Sequence, residues 1–138
     1  MADAAAPGMS DLRRLLERMQ PALHPGRYAF VVAGADVEID PAQVVASIRE
    51  PEGMSLVVPL ALAGELGLEV LFEAAWITLS VHSDLAAVGF TAAFSTALAE
   101  AGIGCNVVAG ARHDHLFVPA DRARQAMDVL RTLSQARA

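Results

Sequence analysis

The run Leu56-Val57-Val58-Pro59 with Ala63 returns as Leu116-Phe117-Val118-Pro119 with Ala123, at the same spacing. An apolar, β-rich run ending in proline reads as a strand delivered straight into a helix, because proline at the first helical position gives up only an N–H that the helix does not use. Two copies in one chain predict two copies of one supersecondary unit. Each copy also has the same preface. Tyr28 to Ala33 reads as a buried strand, and Asp40-Pro41 starts a short helix whose apolar stripe is Val44, Val45 and Ile48 before Pro51 stops it. Trp76 to His82 alternates as a half-buried strand, and a helix over Val88 to Ala101 follows, ended by Gly102.

The order β-α-(β)-β-α thus occurs twice. Cys105 to Ala109 and His115 to Val118 form a hairpin about the turn Gly110 to Asp114. Helices alternating with strands, plus an antiparallel hairpin, predict an α+β fold, a ferredoxin-like (βαββαβ) sandwich, rather than a doubly wound parallel sheet. Two such units fused edge to edge fill 138 residues. The remaining elements are a helix from Ser10, as N-cap, to about Met19; strands at Ser55 to Val58 and Leu68 to Phe72; a helix from Pro59 to Leu66; and a last helix from Pro119 with Ala126, Met127 and Leu130 inward. Residues 1–9 read as a flexible tail.

Charge and composition exclude several classes. Sixteen acids against ten arginines and no lysine leave a net charge of −6, a poor match to phosphate backbones, so no nucleic acid is expected. The longest stretch without an acid or base is the fifteen residues Leu85 to Ala99, short of the ~20 a membrane span needs, so no membrane is expected either. The N-terminus lacks a cationic leader, and the single cysteine, Cys105, cannot form an internal disulfide; both point to a reducing, cytoplasmic home. The Val88 to Ala101 helix carries Thr91, Ala92, Ser95, Thr96 and Ala99 on the face opposite Phe90 and Phe94. An outer face without charge predicts a partner, and we expect a homodimer or higher homo-oligomer.

The stretch Leu98-Ala-Glu-Ala-Gly-Ile103 followed by Cys105-Asn-Val-Val-Ala-Gly110 resembles an ACT domain, a small regulatory module that binds amino acids beside many metabolic enzymes. With Ala75-Trp-Ile-Thr-Leu, Val81-His-Ser and His113-Asp-His-Leu-Phe-Val-Pro119, the chain is similar to short bacterial proteins built of paired ACT domains. The likeness covers about residues 25 to 132, strongest in the second half. It implies an N-terminal degenerate ACT-like unit over residues 10–74 and a C-terminal ACT domain over residues 75–138, intimately fused and sharing strands. It also implies that a small molecule, a free amino acid, binds where the loop after a first strand meets the second strand of its own or a neighbouring unit. The family's loop glycine falls on Gly89; the aspartate usually three residues before it is Ala86, with Asp84 two positions earlier, and the usual preceding proline is Val88.

An amino-acid ligand presents a carboxylate and an ammonium, so its site needs free N–H donors and oxygen acceptors. The candidate ligand residues are therefore His82, Ser83, Asp84, Gly89, Asn106 and Val107. A purely structural role for Ser83 and Asp84 as helix caps and for Gly89 as a packing contact accounts for them equally well. No cofactor, metal or catalytic residue is expected. His113 and His115 supply two imidazoles, with a third ligand from Asp36 or His82 nowhere assured. Cys105 sits in an apolar strand and reads as inert core, and Gly102-x-Gly104 follows a helix rather than a strand, unlike a nucleotide loop. The competing function is a protein-interaction module of the same fold without a ligand.

Overall fold

The computed structural model describes residues 11–137; the expected tail over residues 1–9 and the expected cap Ser10 lie outside the described residues. Helix α1 (Leu12–Arg18) is capped by Asp11, whose carboxylate accepts from the Arg14 N–H. Then follow β1 (Pro21–Leu23), β2 (Tyr28–Ala33), a 3₁₀ turn (Pro41–Gln43), β3 (Ala46–Glu50), β4 (Gly53–Pro59), α2 (Leu60–Glu65) and β5 (Phe72–Leu79). The chain ends with α3 (Phe90–Glu100), β6 (Asn106–Ala109), β7 (Asp114–Pro119), a second 3₁₀ turn (Ala120–Arg122) and α4 (Ala123–Arg137).

Three expectations are corrected. Asp40 and Pro41 do start a helical turn, with the Asp40 carboxylate accepting from the Ala42 N–H, but it lasts only three residues. The Val45 N–H donates to the Val57 carbonyl, and Ala46 and Ile48 pair with Val57 and Ser55, so cross-strand pairing takes the segment expected to be helix. Leu68 to Leu71 is not strand; β5 begins at Phe72 and is continuous through Trp76. Strand β1, which follows directly on α1, was not foreseen at all.

All strands join one antiparallel sheet in the order β3-β4-β2-β5-β7-β6, with β1 also paired to β5. Two ferredoxin-like units are written into that order. The first runs β5-β2-β4-β3 and the second β1-β5-β7-β6, each with its first strand beside its third and fourth. Strand β5 serves both units. Tyr28 to Phe30 pair with Ala74 to Phe72, while Leu23 to Pro21 pair with Ile77 to Leu79, so β1 is the fourth strand of the second unit. The His24 N–H donates to the Trp76 carbonyl in the gap between them. The repeat seen in the sequence is also a repeat of register: Phe30 opposes Val57 as Trp76 opposes Phe117, and Ala46 opposes Val57 as Asn106 opposes Phe117.

The helices lie on one face of the sheet. Over the second unit, α1, α3 and α4 bury Leu15, Leu16, Phe90, Phe94, Leu98 and Leu130 against Ile77, Leu79, Leu116 and Val118. Over the first unit the core is smaller, with Ala29, Val31, Leu56, Val58 and Ala63. The crossover of the second unit spans residues 80–105 and carries α3; that of the first is only residues 34–45 and carries the 3₁₀ turn. The other face of the sheet holds an aromatic layer of Tyr28, Phe30, Phe72, Trp76 and Phe117.

Candidate functional site

The loop from β5 to α3, residues 80–89, is the expected ligand loop, and the fold gives Ser83, Asp84 and Gly89 definite partners. Ser83 is buried and its hydroxyl donates to Asp114 Oδ2 at 3.3 Å, across to the start of β7. The Asp84 carboxylate accepts from the Ala86 N–H through Oδ1 at 2.9 Å, and the Ala87 N–H donates to the Asp84 carbonyl. This is a local turn, not a helix cap. The N-cap is Gly89, at φ +96°, and no side chain caps α3. Among the described residues, the N–H groups at the first turn of α3 therefore have no side-chain acceptor. Leu85 and Val88 flank the loop with 68% and 85% of their surface exposed.

Close approach at Gly89 is used by the chain itself. A Cβ built there would lie 3.2 Å from Leu12 Cδ2, so α1 rests on the loop. His82 is half-buried in the same loop, and the His113 ring meets the loop at Val81, its Nδ1 3.2 Å from the Val81 carbonyl.

Asn106 and Val107 are elsewhere. The loop leaves the sheet where Leu79 opposes Asp114, whereas Asn106 opposes Phe117, three steps up the ladder or about 10 Å away at 3.4 Å per residue. Asn106 is exposed on the helix-free face, and Val107 packs at the edge of the helix-side core. Within one chain the loop reaches the far end of β6, where Ala109 opposes Asp114, the partner of Ser83, and not the end that carries Asn106. The unit-1 counterpart of Asn106 is Ala46, which lacks its amide.

A polar cluster that the sequence did not reveal lies on the helix-free face. The His24 ring stacks on Trp76 with centroids 3.4 Å apart and planes 8° from parallel. His24 Nε2 is 2.7 Å from Thr78 Oγ1, which is 3.0 Å from His115 Nδ1, and Trp76 Nε1–H donates to that same Nδ1 at 3.1 Å. An indole can only donate, so His115 Nδ1 holds a lone pair. Burial, then the neighbouring histidine charges, lowers both rings' pKa values from the ordinary 6.5. The place of His24 in this cluster depends on β1 reaching β5, a pairing no local pattern announces.

An open groove of about 700 Å³ lies over the first unit, bounded by the crossover of residues 34–45 and by Ala46, Ser47, Met54 and Leu56. Among the described residues no group of three or more His, Cys, Asp or Glu side chains is placed to hold a metal ion, and no helix is long and apolar enough to cross a membrane. Burial pushes the Cys105 thiol up to about 11, which keeps it protonated and a poor nucleophile.

Comparison with known proteins follows the same division. Residues 7–75 match one family model and residues 71–132 another, each described as an ACT domain. A Vibrio cholerae protein described as of unknown function and a possible transport protein superposes with a TM-score of 0.79, at 42% identity over 91% of this chain and 97% of that one. A protein from Agrobacterium tumefaciens gives a TM-score of 0.63 at 19% identity, covering 85% and 90% of the two chains. The ligand-free regulatory subunit of aspartate kinase from Thermus thermophilus gives 0.59 at 14% identity, covering 86% and 97%. The last two likenesses are likenesses of fold. No curated protein sequence matches the chain.

Proposed function

The chain belongs to the ACT-domain family, with a regulatory, ligand-binding fold, and from that premise we propose that it is a non-catalytic sensor of a free amino acid, bound at an interface between ACT units. The observation that carries this reading is the uncapped start of α3, an eleven-residue helix. Its free N–H groups and the positive end of its dipole suit a ligand carboxylate. Asp84 Oδ1 is used by the Ala86 N–H, which leaves Oδ2 for the ammonium. Ser83, His82 and Gly89 then form the wall and floor of the site.

Leu85 and Val88 leave this site half-built in a single chain, because two large apolar side chains stand exposed beside it. The exposed Thr91, Ala92, Thr96 and Ala99 continue that surface along α3. In this reading a second copy covers the surface as a homodimer, and Asn106 and Val107 reach the ligand from the neighbouring unit. The chain passes from one unit to the other within the shared β5, at about residues 74 and 75, and the protein works in the cytoplasm with Cys105 reduced.

Calorimetric titration of the wild type with each common amino acid tests the proposal. One of them should bind, and Asp84→Asn should weaken it by about 1.5–3 kcal/mol through loss of a charge-assisted bond. A flat titration across the whole set refutes amino-acid sensing. The exposed Leu85 and Val88 also favour a ligand-free interaction module, which predicts that flat titration together with a dimer that Thr91→Arg dissociates.

A further inference from the structure

The two units cover the same face of the sheet unequally. In the second unit, Leu79 and Leu116 are sealed by Phe90, Phe94 and Leu98 of α3 and have no exposure at all. Their register counterparts in the first unit are Ala33 and Leu56, which line the 700 Å³ groove and stay 6% and 7% exposed. Where α3 lies in one unit, the other has twelve residues of loop and turn. Val37, Ile39 and Val44 of that loop pack on this smaller core and leave an open groove beside them.

That loop has two sides. Val37 and Ile39 turn inward and are half-buried, while Asp36, Glu38 and Asp40 between and beside them are exposed. From Gly34 to Val45 there are three acids and no arginine. The groove thus has an apolar lining with acids on the crossover beside it, and Arg49 on the strand side opposite Met54.

We infer that this groove docks an amphipathic helix of a partner protein, one with an apolar stripe flanked by lysine or arginine. Such a helix presents its anchors as an i, i+3, i+4, i+7 stripe, and the apolar lining of the groove is the surface that would receive them. The acids of the crossover select basic flanks and repel anionic lipid and nucleic acid. A second copy of this chain is a poorer occupant, because the outer face of α3 is uncharged and the chain's net charge is −6. The inference is independent of amino-acid binding at the α3 loop.

The test is a fluorescence-anisotropy titration of the full chain with a labelled Leu/Lys peptide of about five helical turns, against a scrambled peptide of the same composition. The amphipathic peptide should bind, and the scrambled one should bind at least about tenfold more weakly. Val44→Asp in the groove floor should cost about tenfold or more, with melting checked by circular dichroism. The double reversal Asp36→Arg and Glu38→Arg, at exposed positions that leave the core alone, should weaken binding and abolish its salt dependence. Equal binding of the scrambled peptide, or indifference to both variants, overturns the inference. So does sedimentation in which Val44→Asp turns a dimer into a monomer, since the groove would then be filled by a second copy.

Discussion

Gly89→Ala isolates the backbone on which the α3 loop is built. At φ +96° an L-residue meets its own carbonyl, a strain of about 1–2 kcal/mol for a left-handed residue. The added methyl also lies 3.2 Å from Leu12 Cδ2, the far end of a flexible side chain, which can yield by a few tenths of an ångström at a further cost of about 0.5–1 kcal/mol for an off-rotamer χ. The sum is roughly 1.5–3 kcal/mol. Urea unfolding should show it as a lower midpoint at unchanged slope. In a Leu12→Ala background the contact is gone and only the strain remains, so the double-mutant cycle should give a coupling of about 0.5–1 kcal/mol. A cost below about 0.5 kcal/mol would mean that residue 89 is not left-handed in the folded protein. Zero coupling would mean that α1 does not rest on the loop.

Two further outcomes are expected. The His24 and His115 rings have folded pKa values below 6.5, so the unfolded chain binds more protons as pH falls through that value. Stability should be full above about pH 6.5 and decline below it; His115→Gln should flatten the profile between pH 8 and 5.5, and an unchanged profile would remove His115 from the titration. Cys105, with its thiol pushed up to about 11, should react with a disulfide reagent at pH 8 far more slowly in the folded state than in urea. Equal rates would show the thiol to be free of the core.

The sequence made the repeat legible because its signal is local: an apolar strand, a proline and a small residue four places on. Strands β2, β4, β6 and β7 and helix α3 were readable within two residues for the same reason. The segment Val44 to Ile48 was misread because the spacing of Val44, Val45 and Ile48 fits a helical stripe, while Ala46 and Ile48 equally fit one face of a strand; the partner β4 decides, and it lies outside any local window. Strand β1 is three residues long, starts with proline, and gains its partner strand 54 to 58 residues later. At the candidate site, the local residues of the loop were legible as a group. The position of Asn106 was not, since a strand's place along its partner depends on register, which the composition of β6 does not encode.

The double use of β5 makes the chain a single cooperative folding unit. A fragment ending at residue 74 would carry only three residues of β5, and a fragment beginning at residue 75 would lose β1 from its sheet. On a ribosome the edge strand of the second unit emerges among the first residues of the described chain and waits unpaired until residues 77–79 arrive. Folding is therefore delayed until most of the chain exists, and pairing over such separations is slow. Once formed, the sheet offers no linker at which one half could melt while the other persists, so heat or urea should remove both in one transition.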